Sequence, residues 1–175
     1  GIGLLFFVDG LLRGYPVGAP IAFTPPTRLA NMLLTIALSL GVIVTVGTRA
    51  IKPINSATFI MLELLAAAAL LLYALMPDAL EIGAVFTTTL NAMLCALMWY
   101  SVIAFMTFGW RDPDYYALGS WIVCMGSRAI ARVLLTVLAP SLSAEPMINT
   151  IMGVILLVSS QVLLYGFFSV ARDAA

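Results

Sequence analysis

The sequence predicts an all-α polytopic transmembrane bundle of six spans, five complete and the first partial or broken. Three observations carry that prediction. Of 175 residues, 63% are hydrophobic and 9% charged, with mean hydropathy +1.11, whereas soluble domains carry about 25% charged residues. The apolar blocks run about 20 residues or longer, the length a helix needs to cross a hydrocarbon core of roughly 30 Å. Barrel strands would alternate over about 10 residues, so a barrel is excluded.

The first segment, about 1–17, is apolar except for Asp9 and Arg13. Two readings stay open. Asp9 and Arg13 at i, i+4 can pair and carry a helix to about Val17 inside the protein, or Arg13 ends a truncated helix at the interface. The chain starts at Gly1, already inside an apolar run, and reads as a piece of something longer. A signal peptide is not expected, because a basic leader and a small-residue cleavage site are lacking.

Pro20, Pro25 and Pro26 break the helix. Thr24-Pro-Pro-Thr-Arg28 then offers threonine caps and proline in a first turn, a start signal for a second span over about 29–47. A short basic connector with Arg49 and Lys52 leads to the third span, about 54–76. That span holds Glu63 and an alanine run, Ala66 to Ala69, which lets a neighbour approach closely. Pro77 and Asp78 end it, and Glu81 precedes the fourth span, about 82–108, with Asn91 among its few polar residues. Trp110-Arg-Asp-Pro-Asp-Tyr-Tyr116 reads as an interfacial loop.

The fifth span, about 116–138, carries Arg128 and Arg132 one helical turn apart. Arginine at a bilayer centre costs about 2.5–3.5 kcal/mol on insertion scales, so the pair needs partners or a purpose. Gly119, Gly126, Ser127 and Ala129 suggest close packing around this helix. A sixth span is expected over about 146–170, after Pro140. No connector is long enough for a soluble domain, so the chain is a single bundle. Lys and Arg weigh on the connectors after spans two and four and on the chain end, which places the C-terminus in the cytoplasm.

Five ionisable residues therefore lie at apparent membrane depth: Asp9, Arg13, Glu63, Arg128 and Arg132. Asp9 and Glu63 are the natural partners of the arginines. Either the charges lock helices together, or Arg128 and Arg132 bind an anionic group through their guanidinium forks.

Enzymatic footprints are missing. With no histidine the Ser-His arrangement is impossible and zinc lacks its usual ligands, so neither catalysis, metal nor cofactor is expected. Cys95 and Cys124 sit in apolar blocks and read as small packing residues. Net charge is zero, from eight basic and eight acidic residues, so no nucleic-acid contact is expected from this chain itself.

Six spans with cytoplasmic ends and a basic connector after span two resemble one six-helix half of a major-facilitator-type bundle. Gly47-Thr-Arg-Ala-Ile-Lys-Pro53 stands where that family has its cytoplasmic signature, without its aspartate. Gly10-Leu-Leu-Arg-Gly-Tyr-Pro-Val-Gly18 is similar to the membrane portion of LuxR-type transcriptional regulators, which join such a bundle to a cytoplasmic helix-turn-helix domain. That resemblance implies a sensory or regulatory module in the inner membrane of a prokaryote, with another half before it and a DNA-binding domain after it. The alternative it leaves is half of a secondary transporter for a small, anionic solute. Both imply the lipid bilayer and a small anionic ligand as partners.

Overall fold

Helix boundaries fall where proline and charge interrupt the apolar blocks. The computed structural model describes residues 2–14, 21–49, 56–109, 112–138, 153, 154 and 158. Among them are five α-helices: α1 (Ile2–Gly14), α2 (Pro25–Arg49), α3 (Ser56–Leu75), α4 (Leu80–Phe108) and α5 (Pro113–Leu138), with a single 3-10 turn at Pro77–Ala79 before α4. No strand occurs among the described residues, so the all-α class holds for them.

Two helices start earlier than hydropathy alone suggests. Both open on proline, whose fixed φ suits a first turn and whose missing N–H is not needed there. At α2 the Arg28 N–H donates to the Thr24 carbonyl at 3.0 Å, which closes the first turn over Pro25 and Pro26.

Four helices, α2 to α5, are long and apolar enough to cross a membrane. The expected count of six is not reached among the described residues. With 13 residues, α1 is about 20 Å long, short of a full crossing. The sixth expected span, 146–170, lies outside the described residues apart from the isolated positions 153, 154 and 158.

The short α1 lies at the centre. Leu5, Phe6, Leu12 and Asp9 are fully buried, and the helix packs against α5, α4 and α3. It runs parallel to α5: Gly3 stands opposite Val123 and Ser127, and Gly10 opposite Arg128 and Ala131. Antiparallel to α4, α3 places Ala66 and Ala69 in the shared core and bonds Tyr73 to Thr87 across the pair at 3.4 Å. Cys124 joins the core as a free thiol; Cys95, half-buried, donates to Asn91 Oδ1 at 3.7 Å.

The outermost helix, α2, packs chiefly on α4. A polar ladder holds it there. Thr89 donates to Asn31 at 3.1 Å, Thr35 meets Thr89 at 3.3 Å, and Ser39 donates to the Met93 sulfur at 3.6 Å. These residues follow one another at four-residue steps on each helix, which keeps them on one face. The opposite face of α2 exposes Leu29, Leu33, Ile36 and Leu40, and α5 exposes Leu118, Trp121, Ile122 and Val133. Apolar exposure on this scale marks a surface that another apolar phase covers.

Glu81 ties the start of α2 to the start of α4. Its Oε2 accepts the Thr24 N–H at 3.0 Å, the Thr24 hydroxyl at 2.8 Å and the Thr27 hydroxyl at 2.9 Å. The threonines read from sequence as caps thus act through a carboxylate on another helix. That seat satisfies one of the N-terminal N–H groups and places negative charge at the positive end of α2. Glu81→Gln will therefore fray α2, seen as faster amide hydrogen exchange over residues 24–30 with the middle of the helix unchanged.

Candidate functional site

The ionisable residues of the bundle interior come together because α1 touches α5 without an intervening side chain. A Cβ at Gly10 would lie 2.8 Å from the Ala131 Cβ and 2.8 Å from the Arg128 carbonyl oxygen. Only a glycine admits that approach, and it sets the neighbouring Asp9 against Arg128. The Arg128 guanidinium donates through Nη2 to Asp9 Oδ2 and to Asn91 Oδ1, so one group joins α1, α4 and α5. Asp9 is fully buried and Arg128 nearly so, at 13% exposure. Asp9 Oδ1 and Arg128 Nε are buried with no hydrogen-bond partner among the described residues. The junction is therefore charged, and its protein partners satisfy it only in part.

One helical turn further towards the same end of the bundle, about 6 Å along each axis, lies a cavity of about 370 Å³. Arg13 on α1 follows Asp9 by one turn, Arg132 on α5 follows Arg128 by one turn, and Thr87 and Thr88 on α4 precede Asn91 by about one turn; all four line the cavity. Tyr73 of α3 and Ile21, Phe23 and Ala84 complete the wall. The Thr87 hydroxyl donates to the Ala84 carbonyl at 3.1 Å, which leaves its oxygen to accept from Tyr73. Arg13 is half-buried and Arg132 is exposed over much of its length. Arg13, Arg128, Arg132 and Asp9 act on one another electrostatically, so this end of the bundle gathers three guanidinium groups around one carboxylate.

No known family, curated protein or solved structure matches this chain. The assignment of the site thus rests on its own geometry.

Of the two carboxylates that the sequence offered to the arginines, Asp9 takes Arg128. The i, i+4 pairing of Asp9 with Arg13 is not what forms, because Asp9 turns its Oδ2 to α5 and Arg13 faces the cavity. Arg128 is held in the junction, and Arg132, one turn further along α5, lines the cavity with Arg13. Glu63, half-buried on α3, precedes Tyr73 by ten residues, about 15 Å along the helix. It stands at a different level and is not among the described cavity residues.

Two contributors were not singled out from sequence. Asn91 was noted only as polar content of its span, yet an amide at apolar depth is itself a signal, since it must find a partner there. Gly10 opens the Gly10–Gly18 stretch, but its role depends on which helix is adjacent. Of the small residues on α5, Gly119 and Gly126 have no atom within 4 Å of an added Cβ among the described residues, whereas Ser127 meets Gly3 of α1.

The described residues hold no grouping of three or more Cys, Asp or Glu suited to a metal ion. At the far end of α4 and α5 a groove of about 680 Å³ is lined by Met98, Phe105, Leu118 and Val123, with no charged residue among the described lining. Among the described residues, the arginines that line a cavity lie at the other end of the bundle.

Proposed function

We propose that the chain is a sensory or regulatory module of the inner membrane of a prokaryote, half of a major-facilitator-like bundle whose state passes to a cytoplasmic helix-turn-helix output domain. In this reading the bundle has six spans, 146–170 supplying the last, and the C-terminus lies in the cytoplasm. The observation that carries the proposal is the junction of Asp9, Arg128 and Asn91 directly beneath a cavity holding two further arginines. A guanidinium shared between two acceptors on different helices, with buried atoms still unsatisfied, couples the positions of α1, α4 and α5. Any anion entering the cavity draws on Arg13 and Arg132, alters the field at Asp9 and Arg128, and so biases α1 and α5 against α4. The four apolar helices and their exposed faces support the membrane setting.

Asn91→Leu tests the reading, since it removes the α4 acceptor and keeps the Asp9 pair. In the protein's own cells the variant is expected to reach the membrane at normal abundance and to change transcript levels at least severalfold. Normal abundance with an unchanged transcript profile would sink the proposal, and a changed rate of anion uptake in that case would move the assignment to transport.

A further inference from the structure

We infer that the cavity between Arg13 and Arg132 is a binding site for an organic oxyanion, a carboxylate or phosphate group that carries a small apolar part. The inference rests on the sensory reading for its purpose, and on the cavity for its chemistry.

Charge is the first argument. Three guanidinium groups share one carboxylate at this end of the bundle, and Arg128 already holds that carboxylate. Arg13 and Arg132 are left facing a common space. Two like charges facing a common space repel each other, and an anion between them relieves that cost. Guanidinium recognises carboxylate and phosphate oxygens through parallel N–H donors, which selects an oxyanion over a halide.

The wall supplies the rest. Thr88 brings a hydroxyl to the α4 side, where it meets an oxygen of the bound group, while the Tyr73 and Thr87 hydroxyls, engaged with each other and with the Ala84 carbonyl, hold the shape of the wall. Ile21, Phe23 and Ala84 form an apolar side, suited to a hydrocarbon or ring attached to it. A volume of about 370 Å³ corresponds to about a dozen waters at ~30 Å³ each. That falls at the small end of ligand pockets. A metabolite fits, whereas a long acyl chain would have to leave through the opening.

The shape of the wall is itself maintained. A Cβ at Gly83 would press on the Tyr73 ring, so the glycine lets Tyr73 lie back against α4 and reach Thr87. The neighbouring hollow, which shares Ile21, is lined by Asp78 and Glu81. Glu81 is engaged by Thr24 and Thr27, so its charge is drawn to α2 and away from the arginines.

The same oxyanion chemistry is offered by a free metabolite and by the phosphate of an anionic lipid, and the experiment separates them. The full chain in nanodiscs of phosphatidylcholine is titrated by calorimetry with phenyl phosphate, with benzoate and with the neutral control benzyl alcohol. Saturable binding of either anion and none of the alcohol is the expected result. Arg13→Gln and Arg132→Gln are each expected to raise Kd about tenfold or more, and Thr88→Val, which keeps every charge, severalfold. Arg132→Lys retains the charge without the fork and should fall between wild type and glutamine. If replacing part of the lipid with phosphatidylglycerol abolishes phenyl phosphate binding competitively, the oxyanion is a lipid headgroup and the site stands.

Equal binding by wild type and all four substituted proteins would overturn the inference, as would no anion binding in neutral discs with no effect of phosphatidylglycerol on stability. Anion binding that leaves transcript levels unchanged in cells would support the site and sink the sensory reading.

Discussion

Asp9→Ala will lower the unfolding free energy by about 3–5 kcal/mol, the loss expected when one partner of a buried ion pair is removed and the other stays charged. The reason is local. Arg128 keeps Asn91 as acceptor, but an amide oxygen does not neutralise a guanidinium with 13% exposure. The charge must then be hydrated by opening α1 away from α5, or the helices must separate. Unfolding in mixed micelles, followed by circular dichroism, measures the loss.

The double substitution Asp9→Leu with Arg128→Met separates ion-pair energy from the penalty of an orphaned charge. Replacing both partners of a buried pair with apolar residues is often neutral or stabilising. The double variant is therefore expected near wild-type stability, well above either single variant. If the double is as unstable as Asp9→Ala, the junction is held by packing and not by charge. Near-normal stability combined with a lost anion response would place the role of the pair in communication between helices, which the sensory proposal requires.

Much of this arrangement was legible in the chain, for a physical reason that also marks where legibility stops. Helix existence follows from hydropathy, and its limits from prolines such as Pro25 and Pro77, which are local properties, although Pro113, read as part of a loop, opens α5. A carboxylate at apolar depth must find a cation, so Asp9 was a named candidate for Arg128. What could not be read is adjacency. Whether Arg132 shares the fate of Arg128 or meets Arg13 depends on the rotation of α5 against α1, which single-helix periodicity does not contain. The same holds for α1: a short apolar segment reads as a partial span, and only assembly shows it enclosed by α3, α4 and α5. Asn91 is a third case, because its value lies in facing two other helices at once.

Glycine supplies the sharpest instance of that limit and the second large effect. Gly10→Ala is expected to destabilise by about 1–3 kcal/mol, the usual range for overpacking a tight contact. The new methyl would meet the Arg128 carbonyl oxygen at 2.8 Å. That atom belongs to the backbone of α5 and cannot rotate aside, so relief requires the two helices to part. Gly126→Ala and Gly119→Ala, with no atom within 4 Å of the added methyl among the described residues, should instead stabilise by up to about 1 kcal/mol through helix propensity. Opposite signs at glycines of the same bundle test whether α1 and α5 meet at Gly10. The substitution should also couple to the ion pair. In an Asp9→Ala background α1 has already lost its electrostatic hold on α5, so Gly10→Ala will cost less there than in wild type. Residues in one contact network commonly show interaction energies of about 0.5–3 kcal/mol. Simple additivity would mean that the close approach and the junction are independent, and that Gly10 does not set Asp9 against Arg128.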